Sequence, residues 1–332
     1  MLIDELPTPA LIVENTILQH NLDQMSQALP GARLRPHVKA HKTTALARRQ
    51  ADNGHRGFTC ATLREVEVMA AAGLGDDLLL ANEVVDARRL RPLVEDGHRI
   101  TLAVDSSETI RAAADGGVRE VLIDVNVGLP RCGCPPEKAG PLADEARAAG
   151  LSVRGVMGYE GHLMLLADAD ERRRYTEQAM ALLTAAAADV GGELISGGGT
   201  GTYAVNSAVD EIQAGSYALM DTAYQQLALP FRQALFVLGR VISASADWAV
   251  ADAGIKALSL DHGNPVIDGA NVWFCSDEHI TFAAEGGVPP AVGDTVRVTP
   301  SHIDPTVALH ATMYLVDGDE VLEEWPVDMR GW

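Results

Sequence analysis

Between Ala32 and Gln213 short apolar runs alternate with longer mixed stretches, and the alternation has a regular beat. Strand-like runs end near Lys39, Cys60, Ala81, Val104, Val127, Met157, Ser196 and Gln213. Between them lie Ala-, Leu-, Arg- and Glu-rich segments of helical period, such as 63–72, 86–95, 136–149 and 171–190. About eight strand–helix units in that space predict a (β/α)8 barrel, and a doubly wound open sheet is the alternative, because spacing does not show closure. No Gly-x-Gly-x-x-Gly follows the first strand, which counts against the open sheet. After Pro230 the texture changes. Segments 235–246, 248–251, 272–275, 279–283, 295–299 and 312–316 are short β-branched or aromatic runs parted by Gly and Asp turns, the pattern of an antiparallel β domain. Ahead of the barrel, Thr8-Pro9-Ala10-Leu11-Ile12-Val13 reads as a strand and 15–29 as a helix.

The composition narrows the function classes. The 332 residues are 47% hydrophobic, enough for one large domain and a smaller one. A formal net charge of −20 argues against nucleic-acid binding, which depends on Lys and Arg neutralising phosphates. The N-terminus lacks the basic and apolar regions of a signal peptide, and no apolar run approaches the roughly 20 residues of a membrane span. Four cysteines are too few for a disulfide framework, and Cys132-Gly133-Cys134 has no second pair to complete a metal site. The expectation is a soluble cytoplasmic protein with a small-molecule ligand.

Within this acidic chain the run Leu34 to Thr43 is a basic island. Lys39 falls at the carboxyl end of a strand, where α/β barrels place their chemistry. Arg33, Arg35, His37, His41 and Lys42 surround it in sequence, and neighbouring positive charge lowers an amine's pKa toward a nucleophilic value. Such a lysine suits a Schiff base; a solvated strand end or a phosphate-binding patch is the alternative. Ser196-Gly197-Gly198-Gly199-Thr200-Gly201-Thr202 follows a late strand, and glycines there let backbone N–H groups converge on a phosphate, with Thr200 or Thr202 adding a hydroxyl. His162 ends the loop Gly158-Tyr159-Glu160-Gly161-His162 and has the near-neutral basicity of a general base. His302 and Asp304 stand two apart in a run expected to be a strand, so both side chains face one way and can share a cation. Imidazole plus carboxylate suits Mn²⁺ or Mg²⁺, with Co²⁺ or Zn²⁺ as alternatives. Lys256 is a rival Schiff-base lysine by residue type, in the β domain away from the glycine loop.

The run Arg35-Pro36-His37-Val38-Lys39-Ala40-His41-Lys42-Thr43 resembles the cofactor-lysine segment of the D-threonine aldolase and D-serine dehydratase family, whose members use pyridoxal phosphate (PLP) on the alanine racemase-like barrel. The resemblance continues in order through segments 155–162, 196–202, 211–221, 252–265 and 300–309. It implies a PLP barrel over 15–230 and a β domain over 231–332, joined by the N-terminal strand 1–14. It further implies that Lys39 holds PLP, that Gly199, Thr200, Gly215 and Ser216 take the phosphate, and that Arg131 reaches the cofactor's phenolic oxygen or the substrate. Tyr159 would line the pocket and His162 act as base. Gln213 aligns where alanine racemase sets an arginine against the pyridine nitrogen. His302 with Asp304 matches the aldolase pattern, whereas relatives with cysteine at the second position look like zinc-dependent dehydratases. The expected reaction is cleavage of D-threonine to glycine and acetaldehyde by a homodimer. The alternatives are a dehydratase of D-serine or 3-hydroxy-D-aspartate, an aldolase for 3-hydroxy-D-aspartate, and a non-catalytic PLP-binding protein. No chemistry is assigned to 252–265.

Overall fold

The computed structural model describes residues 1–286 and 290–332, in two compact units. A barrel unit comprises Met25–Lys39, Leu46–Gly215 and Gly331–Trp332; a sheet unit comprises Met1–Gln24, Ala40–Ala45 and Ser216–Arg330. No helix among the described residues is long and apolar enough to cross a membrane.

With strands numbered along the chain, β1 (Ala10–Glu14) lies in the sheet unit and the next seven build the barrel. These are β2 (Gly57–Cys60), β3 (Asp77–Leu80), β4 (Ile100–Val104), β5 (Glu120–Asp124), β6 (Ser152–Gly158), β7 (Leu194–Gly197) and β8 (Glu211–Ile212), all parallel and neighbours in sequence order. The eighth position is filled by Leu34–His37, which bridges Ile212 on one side and Thr59 on the other, so the barrel closes and the open-sheet alternative falls. Arg35 N and His37 N donate to Ile212 O (2.9 Å) and Ala214 O (3.0 Å). Pro36 has no N–H for the β2 side, where its carbonyl accepts from Thr59 N, which is why this stretch forms bridges rather than a full ladder. Helices 63–71, 139–148 and 169–190 link the strands much as their periodicity predicts, whereas the helix expected over 86–95 is a 3-10 turn, Arg88–Leu90, followed by a short helix, Arg91–Glu95, and a further helix spans 107–115.

The barrel interior is layered. Leu79, Ala103, Leu122 and Met157 form an apolar cluster. Two residues earlier on β3, β4 and β5 come Asp77, Thr101 and Glu120, which with Arg35, Arg154 and Glu211 make a charged layer at the strands' amino ends. Arg35 donates from Nε to Glu211 (2.7 Å) and from Nη2 to Asp77 (2.9 Å), while Arg154 donates to Asp77 (2.9 Å) and Thr101 (2.6 Å). Gly57 leaves room for this guanidinium, since a Cβ there would stand 2.8 Å from Arg35 Nη1.

The sheet unit holds nine strands in the order β10-β13-β12-β11-β14-β9-β1-β15-β16. Here β9 is Leu235–Ala244, β10 Ala249–Ala251, β11 Val266–Ile267, β12 Ala270–Cys275, β13 Ile280–Ala284, β14 Thr295–Thr299, β15 Thr312–Asp317 and β16 Glu320–Pro326. All pairs are antiparallel except β1 with β15. Leu11, Ile12 and Val13 are fully buried, which fits a strand sitting well inside the sheet. Asp252 ties this unit together by accepting from Arg240 N (2.6 Å) and Thr8 Oγ1 (2.6 Å), a structural role for one residue of segment 252–265.

Candidate functional site

In the barrel unit the candidate residues collect at the carboxyl ends of the strands. Lys39 is exposed and follows Leu34–His37 directly, in the 3-10 turn Val38–Ala40. Arg35 does not add positive charge at that end. It is engaged by Glu211 and Asp77 in the charged layer, which outweigh the effect of burial and raise its pKa further. Arg33 likewise donates to the carbonyls of Val209 (2.5 Å) and Asp210 (2.9 Å). The cationic crowd expected from sequence is therefore thinner than its spacing suggests, because strand residues two apart share a face but stand at different depths.

The glycine loop after β7 is tightly packed. Gly198 has φ +75°, which favours glycine, and a Cβ on Gly199 would stand 2.7 Å from Met164 Sδ. Thr200 and Thr202 are buried. The loop beyond β8 lies alongside, since Gln213 N donates to Gly197 O (2.9 Å), and this brings 213–215 next to 197–199. Two adjacent glycine-bearing loops beside a strand-end lysine fit the phosphate and aldehyde of PLP. Ser216 begins the other unit's third segment.

Beneath the loop lies Glu160, fully buried, which accepts from Thr202 Oγ1 (2.7 Å) and Asn206 Nδ2 (3.0 Å). Burial pushes its carboxyl up, with these hydrogen bonds opposing. The polarity of the neighbouring chain follows from its acid end. Ser196 Oγ donates its one proton to Glu211 (2.7 Å), so it must accept from Gln213 Nε2 (2.8 Å). The Gln213 amide is thereby oriented with its nitrogen held and its carbonyl turned away from Ser196.

Arg131 lies over the Tyr159 ring, 5.3 Å from its centroid. His162 is exposed and rests against Gly128, where a Cβ would stand 2.9 Å from the imidazole Cε1 and φ is +126°. Asp124, missed from sequence, ends β5 with its carboxyl pushed well up, first by burial and then by the Glu83 and Asp105 carboxylates. Its signal was the period-two row Glu120, Leu122, Asp124, read as a plain strand. Burial and Glu83 push the Cys132 thiol up to about 12, and burial with Asp124 and Asp105 does the same to Cys134, which makes both poor nucleophiles at neutral pH.

In the sheet unit His302 is not on a strand. It caps the helix Ile303–Leu309 in extended conformation, with Asp304 in the first turn. The pair still converges: His302 Nε2 lies 3.7 Å from Asp304 Oδ2. Nδ1 of the same ring is 2.6 Å from Asp261 Oδ2, and His262 stacks on it at 4.1 Å between centroids and 6° between planes. Ligand atoms of Asp261, His262 and His302 all lie within 4.8 Å of one another, a nitrogen–oxygen set that fits a divalent cation. Asp221 is fully buried and accepts from Ile303 N (3.0 Å), fixing the backbone between the two predicted ligands; burial pushes its carboxyl up to about 6. Asp261 and His262 were visible in sequence only as a segment without chemistry. Lys256 is exposed and paired with Glu278 (2.8 Å), whose hydrogen bond raises its pKa, the opposite of a reactive amine.

Comparison with known proteins agrees with this geometry. The model of the alanine racemase N-terminal domain matches residues 14–223, and a second, for a serine dehydratase domain, matches 234–316. D-threonine aldolase of Arthrobacter sp. is 33% identical, the alignment covering 98% of this chain and 93% of that protein. 3-Hydroxy-D-aspartate aldolase of Paracoccus denitrificans (strain Pd 1222) is also 33% identical, with the same coverage. The crystal structure of D-threonine aldolase from Filomicrobium marinum superposes with a TM-score of 0.93 at 35% identity, covering 100% of this chain and 98% of that one. A full-length likeness that spans the lysine turn, the glycine loops and the His–Asp helix cap places this chain in the D-threonine aldolase and D-serine dehydratase branch of the alanine racemase-like PLP family.

Proposed function

We propose that the protein cleaves β-hydroxy-D-amino acids between Cα and Cβ, using PLP and a divalent cation, with D-threonine giving glycine and acetaldehyde. The observation that carries this reading is the carboxylate at position 304, 3.7 Å from His302 Nε2. An imidazole–carboxylate pair suits a hard cation such as Mn²⁺ or Mg²⁺, whereas a cysteine there goes with the dehydratases that the sequence also resembles. Identity of 33% to a D-threonine aldolase over nearly the whole chain supports the same choice.

PLP supplies an aldehyde for the substrate's amine and a conjugated ring that draws electrons from the bond that breaks. The cation supplies Lewis acidity toward hydroxyl and carboxylate oxygens. Lys39 Nζ is the amine that would hold the cofactor's aldehyde. Backbone N–H groups at Gly199 and Gly215, with the Thr200 hydroxyl, would hold the phosphate, and Ser216 is the further phosphate residue that the family resemblance implies. Gln213 presents its amide to the ring nitrogen, and Arg131, steadied on Tyr159, offers a fixed positive fork to an oxyanion. His162 takes the β-hydroxyl proton at an imidazole nitrogen. His302 and Asp304 hold the cation.

The test is a product assay on D-threonine with PLP and Mn²⁺. Glycine and acetaldehyde that vanish with a chelator and return with metal are expected. 2-Oxobutanoate and ammonia would move the protein to the dehydratases. PLP absorbance that survives in Lys39→Ala would overturn the assignment of the lysine.

A further inference from the structure

We infer that Asp261 is the positioning carboxylate of the metal-donor cluster. It holds His302 by Nδ1 so that Nε2 faces Asp304, and it does not itself bind the cation. The inference rests on the proposal that His302 and Asp304 are the ligands. The competing arrangement is a three-ligand site on Asp261, His262 and His302, whose donor atoms do cluster within 4.8 Å.

Distances separate the two. Two donors bound at right angles to one cation, each at about 2.1 Å, stand about 3.0 Å apart. Asp261 Oδ2 and His302 Nδ1 are closer than that, at 2.6 Å, the separation of a charge-assisted hydrogen bond with a proton between them. With Nδ1 donating to Asp261, the lone pair of His302 is on Nε2, at the far edge of the ring. That atom is 3.7 Å from Asp304 Oδ2, a gap that two bonds of about 2.1 Å span at an angle of about 120°. His262 completes the mounting. Its ring lies flat against His302, while its Nε2 stays 3.9 Å from Asp261 Oδ2. Rotation of the His302 ring about Cβ–Cγ would break the Asp261 hydrogen bond and disturb the stack together. Asp261 is itself held by the Ser259 hydroxyl, two residues back.

The orienting bond can be removed without touching either ligand. Mn²⁺ would be titrated into the full-length, PLP-loaded protein, with free Mn²⁺ read by its paramagnetic resonance signal. His302→Ala and Asp304→Ala are expected to abolish binding. Asp261→Ala is expected to weaken it by about 10–100-fold, the usual effect of losing an orienting partner. Asp261→Asn retains an acceptor for Nδ1–H and is expected to recover most of that loss. At saturating Co²⁺ the visible ligand-field bands of Asp261→Ala should match wild type, since the ligands are unchanged; a band shift toward fewer ligands would overturn the inference. So would unchanged Mn²⁺ affinity in Asp261→Ala. Binding that survives Asp304→Ala but not His262→Ala would establish the three-ligand site instead. Binding unaffected by both His302→Ala and Asp304→Ala would remove the metal reading beneath it. Circular dichroism of each metal-free variant checks folding, and if Asp261→Ala is unfolded, the Asp261→Asn affinity and Co²⁺ spectrum carry the test.

Discussion

The charged layer at the amino end of the barrel offers a quantitative test of how its interior is held. Asp77→Asn leaves the shape of the side chain but removes the charge that faces two guanidinium groups. In the native protein Asp77 accepts from Arg35 Nη2 at 2.9 Å and from Arg154 Nη1 and Nη2 at 2.9 and 3.2 Å. Burial alone would raise its carboxyl; the hydrogen bonds and charges of Arg154 and Arg35 outweigh that and hold it at about 2, against an ordinary 3.8. That depression corresponds to roughly 2.5 kcal/mol of stability at neutral pH. Removing one partner from a buried ion network costs about 3–5 kcal/mol, because the charges left behind stay desolvated. A loss of about 3–4 kcal/mol is therefore expected for Asp77→Asn at pH 7, read by urea unfolding and by hydrogen exchange of the β3 and β6 amides. The sign of its pH dependence is fixed. Because the folded carboxyl is the stronger acid, its contribution is complete above the unfolded pKa near 4 and fades as the pH falls toward 2. The gap between wild type and variant should narrow over that interval. A loss below about 1 kcal/mol at pH 7, or a gap unchanged between pH 5 and pH 2, would refute the account.

Three further substitutions probe the proposed site. Gly128→Ala forces a Cβ to within 2.9 Å of His162 Cε1 at a φ of +126°, so turnover should fall at least about tenfold while PLP absorbance is kept; wild-type turnover would remove His162 as the base. Glu160→Leu strips the acceptor from Thr202 and Asn206 under the glycine loop, and PLP affinity measured by fluorescence should drop about tenfold, with Glu160→Gln close to wild type. An unchanged affinity in Glu160→Leu would show that the loop needs no brace. Ser196→Ala frees the Gln213 amide to rotate, and the visible band of bound PLP should shift; an unshifted band would detach Gln213 from the ring nitrogen.

Much of the barrel was legible because β2 to β7 carry both of their signals, strand runs of four to seven residues and helical stretches between them. The sheet unit was less so. Val266–Ile267 is too short to register, and Glu320–Pro326 is an edge strand whose acidic residues conceal its period. His302-Ile303-Asp304 illustrates why local pattern misleads. Followed by Pro305, the triplet reads as an extended run, yet proline is tolerated in a helix's first turn, where its N–H has no intrahelical partner. The pair converged on one point all the same, because a helix cap also brings neighbouring side chains together. Arg35 shows the converse. Adjacency to Lys39 in sequence suggested an electrostatic neighbour, while its carboxylate partners come from β3 and β8, which no local window contains. Asp261 was hidden for the same reason, 41 residues from the histidine it touches.

The place of β1 bears on how the protein is made. Its sheet neighbours, β9 and β15, begin only at Leu235 and Thr312, so a strand completed by Glu14 waits through roughly 220 residues of synthesis before its first partner exists. At about 5–20 residues per second, that wait is about 11–44 s. Throughout it Ala10-Leu11-Ile12-Val13 is an apolar segment with unpaired backbone on both edges, the kind of sequence that aggregates when left uncovered. The donor cluster of the sheet unit is thus a late product of translation, completed well after β1.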